Sequence, residues 1–183
     1  MQIQRLTAAM AVATSLMLAV PGWGQTADAP APVTEGAPED APRQVLFVGN
    51  SYFYYNDSLH NHTRRLAGEG SGIDLDDLDY RSITISGGSL DMHPMDHYLT
   101  PGAIGYDAPF DLVVLQGNSA AAESDARSAR FRDAVLDMDA KIKATGARTA
   151  LYMTHAYAEG HADYSPDGTA KLDALYTDVG NEI

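Results

Sequence analysis

Short apolar runs alternate with longer amphipathic stretches from residue 43 onward. The runs that predict β-strands are Gln44–Gly49, Arg81–Ile85, Asp111–Gln116 and Arg148–Thr154. The third run is apolar at every position from Leu112 to Leu115, which is typical of a strand in the interior of a parallel sheet. Because helical patterns separate the strands, the chain predicts an α/β domain with a mostly parallel sheet and right-handed crossovers.

Three amphipathic helices are predicted around these strands. The first follows the capping residues at 56–58 and ends at the glycine-rich segment Gly68–Gly72, the second runs from Ser124 to about Thr145, and the last begins at Ser165-Pro166-Asp167. Apolar residues recur at helical spacing in each. The predicted apolar faces are Leu59, His62 and Leu66 in the first helix; Phe131, Ala134, Val135, Met138 and Ile142 in the second; and Leu172, Leu175, Tyr176 and Val179 in the last.

The N-terminal residues predict no folded domain. Arg5 precedes an apolar run over Leu6–Val20, and small residues follow it, a pattern typical of a secretory signal peptide. The run is short for a membrane span, although an uncleaved anchor is the alternative. Residues 25–42 are rich in Ala, Pro and acidic residues, which indicates a disordered linker. We therefore expect a signal peptide over 1–24, a linker over 25–42 and the α/β domain over 43–183.

Composition narrows the class of protein and its compartment. A length of 183 residues with 45% hydrophobic and 20% charged residues fits one globular domain. The net charge of −13 argues against nucleic acid or an anionic membrane as a partner. The chain has no cysteine, which excludes disulfides, thiolate metal sites and a cysteine nucleophile. With the signal peptide, this indicates a periplasmic or secreted bacterial protein that is not inserted in a membrane after cleavage. The oligomeric state is left open.

Polar residues follow three of the predicted strands. Ser51 follows the first strand, Gly87 and Gly88 follow the second, and Asn118 follows the third. The carboxyl ends of parallel strands share one edge of the sheet, where ligands bind in open α/β folds. A serine esterase needs a nucleophile and several hydrogen-bond donors for the developing oxyanion, and these turns offer both. Each turn alone is also typical of an ordinary strand-to-helix connection.

The histidines do not predict a metal site. His60 and His62 lie two residues apart, so they point to different faces of the first helix. His93 and His97 have helical metal-ligand spacing, but Pro94 interrupts them and the H-E-x-x-H pattern is absent. We predict no metal and no other cofactor.

The three turns together resemble the SGNH (GDSL-like) hydrolases. The similarity lies in the segments LFVGNSYFYY, ISGGSL and DLVVLQGNS, in that order. It implies a three-layer α/β/α, flavodoxin-like fold with sheet order 2-1-3-4-5. It also implies Ser51 as nucleophile, with Ser51, Gly87 and Asn118 as the oxyanion hole and Gly88 as the alternative to Gly87. The implied reaction is hydrolysis of a carbohydrate or lipid ester through an acyl-serine intermediate.

The sequence departs from the family near its C-terminus. The family's catalytic Asp and His lie in a D-x-x-H block after a fifth strand, and nothing after Asp173 resembles this block. We therefore expect an incomplete domain, truncated relative to the family, with the last strand and the catalytic Asp and His missing. His155, at the end of the fourth strand, is the candidate substitute for the base. The fourth strand is expected to be an exposed apolar edge.

Two other functions remain open on the sequence. The first is a non-catalytic module that binds a sugar or an acyl group at the same sheet edge. The second is a phosphate or nucleotide binder that uses the Gly-Asn-Ser turns at helix N-termini. The second is the weaker alternative because those turns contain no basic residue.

Overall fold

The sheet of the domain contains four parallel strands. A computed structural model describes residues 41–183, so the predicted signal peptide and most of the linker lie outside the described residues. The strands are β1 (Gln44–Gly49), β2 (Asp79–Thr84), β3 (Leu112–Leu115) and β4 (Arg148–Leu151). Their order is β2-β1-β3-β4, and every pairing is parallel. The predicted parallel α/β sheet is confirmed, with β3 in its interior and β4 at one edge.

Helices connect and cover the strands. They are α1 (Leu59–Ser71), α2 (Met95–Leu99), α3 (Asp125–Ala144) and α4 (Gly168–Gly180). Short 3₁₀ helices lie at Ser51–Phe53, Leu75–Asp77 and Leu90–Met92. Within residues 41–183, no helix is long and apolar enough to cross a membrane.

The alternation of side chains along β1 divides the core between the two faces of the sheet. Val45 and Phe47 belong to a cluster on one face that α1 covers through Leu59 and Ala67. Leu46 and Val48 belong to a larger cluster on the opposite face, which α2, α3 and α4 cover. The helices contribute to this larger cluster through Met95, Tyr98, Phe131, Val135, Met138, Ile142, Leu172, Tyr176 and Val179. The three-layer α/β/α architecture is thereby confirmed.

Both ends of α3 and the C-terminal end of α1 lie where their capping residues predict them, whereas Ser58 precedes α1 without a capping hydrogen bond from its side chain. The Ser124 hydroxyl accepts a hydrogen bond from the Arg127 N–H at 3.4 Å, which satisfies a free donor in the first turn of α3. Gly146 follows this helix with φ +89°, and Gly72 ends α1 with φ +68°. Both angles lie in the left-handed region that glycine adopts without a steric cost.

Several details of the pattern-based predictions are wrong, among them the second strand, which begins at Asp79 rather than Arg81. Leu66 is 73% exposed and His62 is also exposed, because α1 faces the sheet through Leu59, His60 and Ala67, of which only Leu59 is strongly apolar. The fourth strand ends at Leu151 rather than Thr154, since strand pairing with β3 stops at that residue. The last helix begins at Gly168, because a turn closed by the Gly168 N–H and the Ser165 carbonyl precedes it.

Candidate active site

Asn50 joins the three loops that follow β1, β2 and β3. Its side chain is only 2% exposed. The Asn50 Nδ2 donates to the Gly88 carbonyl at 3.2 Å, and its backbone N–H donates to the Gln116 Oε1 at 3.0 Å. One residue therefore fixes the serine turn to the glycine turn on one side and to the end of β3 on the other.

The same residue sets the conformation of the serine turn. The Asn50 Oδ1 accepts a hydrogen bond from the Tyr52 N–H at 3.2 Å and caps the 3₁₀ helix that starts at Ser51. Gly49 allows Gln116 to approach, since a Cβ at position 49 would lie 2.6 Å from the Gln116 Oε1. The sequence analysis treated Asn50 as a turn residue and Gln116 as a strand residue, and it missed this network. The only local signal was an amide side chain at the end of each apolar strand.

Each of the three loops contains a hydrogen-bond donor that has no acceptor within residues 41–183. The Ser51 N–H, the Gly87 N–H and the Asn118 Nδ2 form no hydrogen bond with any other described residue. The Gly88 N–H, by contrast, donates to the Ile85 carbonyl at 2.9 Å and closes the turn. Of the two glycines considered from sequence, Gly87 therefore has the available donor, and its φ of +67° places it in the left-handed region.

The amide of Asn118 has a defined orientation. Its Oδ1 accepts the Ala120 N–H at 3.1 Å, so its Nδ2 is turned away from the loop backbone. The preceding residue, Gly117, packs tightly, since a Cβ there would lie 2.7 Å from the Phe131 ring. The Gly117 N–H donates to the Tyr176 hydroxyl at 3.0 Å. Burial raises the pKa of Tyr176 well above its ordinary value, so the hydroxyl stays neutral and α4 holds the loop in place.

Gly87 and Asn118 line one cavity. Its volume is about 220 Å³, and Leu90, Ala121 and Phe131 contribute to its apolar surface. Ser51 is half-buried on the neighbouring turn and is not among the residues that line this cavity. The structure thus brings the two non-serine oxyanion candidates together and places the serine turn beside them through Asn50.

No histidine of the described segment is hydrogen-bonded to the Ser51 hydroxyl, which itself has no hydrogen-bond partner there. His155 is exposed at the same sheet edge, and its ring lies edge-on to the Tyr52 ring with centroids 4.8 Å apart. The His155 carbonyl accepts the Ser119 hydroxyl at 2.7 Å, and the Ser119 hydroxyl also contacts the Tyr52 hydroxyl at 3.2 Å. The predicted substitute base is therefore near the serine turn without contacting Ser51.

The remaining histidines are dispersed. His93 is buried, with its Nδ1 3.4 Å from the Tyr98 hydroxyl, whereas His97 is exposed on α2. Burial lowers the pKa of His93, opposed by the Gly49 carbonyl and by Asp91. In the part of the chain that the structure describes, no three His, Asp or Glu side chains are grouped so as to hold a metal ion.

Comparison with known proteins relates this architecture to the SGNH hydrolases. No protein-family model and no curated protein sequence matches the chain. Among solved structures, a candidate SGNH hydrolase from Slackia heliotrinireducens is 22% identical with a TM-score of 0.57, and the match covers 78% of this chain and 76% of that one. The psychrotrophic esterase EstA from a Pseudoalteromonas species is 13% identical with a TM-score of 0.55, covering 76% and 73%. The acetyl xylan esterase AlAXEase is 16% identical with a TM-score of 0.51, covering 75% and 72%.

The chain has the fold of the SGNH hydrolases, and this fold is the resemblance that the three sequence segments predicted. The order β2-β1-β3-β4 agrees with the first four positions of the expected sheet. At these identities the likeness establishes the fold, and the roles of individual residues rest on the geometry described above.

Proposed function

We propose that this domain is a serine ester hydrolase of the SGNH type. The observation that supports it best is the set of unpaired donors, namely the Ser51 N–H, the Gly87 N–H and the Asn118 Nδ2, carried by loops that Asn50 ties together. Preorganised donors of this kind stabilise the negative charge that develops on the substrate carbonyl oxygen. Each is typically worth about 3 kcal/mol of the activation barrier.

In the proposed reaction, the Ser51 Oγ attacks the ester carbonyl carbon while a base takes the hydroxyl proton. The carbonyl oxygen becomes an oxyanion that the Ser51 N–H, the Gly87 N–H and the Asn118 Nδ2 stabilise. Collapse of this intermediate expels the alcohol, which takes up the proton, and leaves an acyl-Ser51 ester. Water then attacks the acyl carbonyl carbon and gives a second oxyanion at the same donors. Collapse of this intermediate releases the carboxylic acid and returns a proton to the Ser51 Oγ.

The substrate class follows from the resemblance and from the names of the structural neighbours. We propose a carbohydrate or lipid ester, since the neighbours include an acetyl xylan esterase and another esterase. The composition of residues 1–24 and the lack of cysteine support a periplasmic or secreted location. The competing function is a module that binds a sugar or an acyl group without turnover. It is favoured by the absence of a histidine contact to Ser51 within residues 41–183.

Labelling with a fluorophosphonate, read by intact mass and peptide mapping, tests the proposal. We expect a covalent adduct on Ser51, formed more rapidly when imidazole is added as an external base. Ser51→Ala should abolish the adduct, and Asn118→Ala should slow it about 10²-fold, as expected for loss of one oxyanion donor. Ser86→Ala is the matched control, because this serine on the neighbouring loop is exposed and its hydroxyl is hydrogen-bonded to the Tyr54 hydroxyl rather than to the proposed site. A folded protein that acquires no label with or without imidazole would instead support the binding module.

A further inference from the structure

The cavity lined by Gly87 and Asn118 differs in charge from the other pockets described in residues 41–183. Its charged lining residues are Arg127, Arg130 and Asp91, so its lining carries a net positive charge. The pocket that Ser119 and Tyr157 line contains Glu123, Asp163 and Lys171 and is net negative. Two further pockets, near Asp133 and Asp107, are also net negative, although Arg130 and Asp91 line the first of them as well. In a chain of net charge −13, a positive pocket next to the proposed oxyanion donors is a local exception.

The two arginines project from the same side of α3, because they are three residues apart. Arg127 lies in the first turn of this helix, where the helix dipole disfavours a positive charge, and Arg130 lies in the second turn. The helix dipole therefore does not explain the position of Arg127. The Arg127 Nη1 is paired with the Glu123 Oε2 at 2.5 Å, which leaves other N–H groups of the guanidinium available.

Arg130 has weaker contacts with other side chains than Arg127 has. Its nearest acidic partner is Asp91, with 4.0 Å between the Arg130 Nε and the Asp91 Oδ2, and its side chain is 64% exposed. It forms no hydrogen bond with another described residue, and the other Asp91 oxygen accepts the Ser89 hydroxyl at 2.5 Å. An exposed pair at this distance contributes little to stability. A carboxylate in the cavity can therefore recruit the Arg130 guanidinium without breaking a strong existing contact.

We propose that Arg130, assisted by Arg127, selects an ester that carries a carboxylate close to the scissile bond. The inference rests on the proposed function, because it places the ester carbonyl at the Gly87 and Asn118 donors. The apolar surface of Leu90 and Phe131 contacts the short carbon chain, and the guanidinium groups at the rim bind the carboxylate. The cavity volume of about 220 Å³ admits a short chain only.

The test measures binding rather than turnover. In the Ser51→Ala protein, which cannot form the acyl-serine intermediate, dissociation constants are obtained by NMR titration of the Gly87 and Asn118 amide signals. Monomethyl succinate is compared with methyl levulinate, its neutral isostere, for a carboxylate on the acyl side. Acetoxyacetate is compared with acetoxyacetone for a carboxylate on the alcohol side. We expect the anionic member of one pair to bind about five- to tenfold more tightly, as for one charge-assisted hydrogen bond at a partly exposed site.

Arg130→Gln should reduce this preference to about onefold, whereas Arg132→Gln should retain it. Arg132 is a matched control, because it lies on the same helix, loses the same charge and pairs with Glu182 away from the cavity. Equal binding of both members in both pairs would overturn the inference, and so would an equal loss in the two arginine variants. Anion preference in a protein that no fluorophosphonate labels would support this inference while refuting the esterase. Labelling of Ser51 without anion preference would refute the selectivity alone.

Discussion

Asn50→Ala is the substitution that most directly tests how the site is assembled. It removes the hydrogen bond from the Asn50 Nδ2 to the Gly88 carbonyl and the cap on the Tyr52 N–H, each 3.2 Å long. The Gly88 carbonyl is buried, so losing its partner should cost about 1–3 kcal/mol. The partly buried Tyr52 N–H is within easier reach of water, and loss of a cap of this kind costs about 1 kcal/mol.

We therefore expect Asn50→Ala to lower the free energy of unfolding by about 2–4 kcal/mol, a large part of the total stability of a small domain. Urea denaturation followed by far-UV circular dichroism measures this value. Tryptophan fluorescence is unsuitable, because Trp23 is the only tryptophan and lies outside the described domain.

Asn61→Ala is the matched control for this measurement. The Asn61 side chain donates to the Asp57 carbonyl at 2.8 Å in an exposed position at the start of α1. Alanine favours the helix there, so the change should stay within about 0.5 kcal/mol of the parent. The reasoning about Asn50 is refuted if the two variants unfold at the same urea concentration.

Two further predictions concern packing and pH. Gly117→Ala should destabilise the domain by about 1–3 kcal/mol, because the added methyl group collides with Phe131. In Gly87→Ala the added methyl group meets no atom within 4 Å, so this variant should lose only about 1 kcal/mol because of the positive φ at this position. Equal shifts in melting temperature for the two variants would contradict the packing argument. Burial lowers the pKa of His93 in the folded state, so the unfolded state binds the proton more tightly. The stability that His93 contributes should be present above about pH 6.5 and be lost as the pH falls through the lower folded-state pKa. The urea midpoint should therefore decline with falling pH, and His93→Leu should make this decline smaller. An unchanged pH profile in the variant would exclude His93 as the cause of the decline.

The elements of the fold were predictable where one local signal dominated. The residues of β1 and the interior position of β3 followed from unbroken apolar runs, and α3 followed from apolar residues at helical spacing between Ser124 and Gly146. The face of α1 was predicted only in part, because Leu59 packs against the sheet as expected, whereas Leu66 is exposed and the small Ala67 lies against the sheet instead. Periodicity thus failed where shape rather than hydropathy decides which side of a helix is buried.

The site was predictable in its parts but not in its connections. Ser51, the glycine pair and Asn118 stand at strand ends, so topology alone brings them to one edge of the sheet. The choice between Gly87 and Gly88 depends on which N–H closes the turn onto Ile85, a detail of backbone geometry. The bonds of Asn50 to Gly88 and Gln116 span 38 and 66 residues, and no local pattern encodes such pairings.

A serine hydrolase needs oxyanion donors and an activated serine hydroxyl, and the structure holds these two parts to different degrees. The proposed oxyanion donors are held by buried contacts, since Asn50 fixes the serine and glycine turns and Gly117 is held by Tyr176. The Ser51 hydroxyl, in contrast, has no hydrogen-bond partner among the described residues. Donors held in this way stabilise an oxyanion whichever group removes the serine proton, and an oxyanion hole with substrate binding alone retains about 10³–10⁴-fold catalysis over water in a serine protease. The response of Ser51 to added imidazole is therefore informative. Imidazole supplies an external base, so the rate of labelling tests the oxyanion donors without requiring a base from the protein.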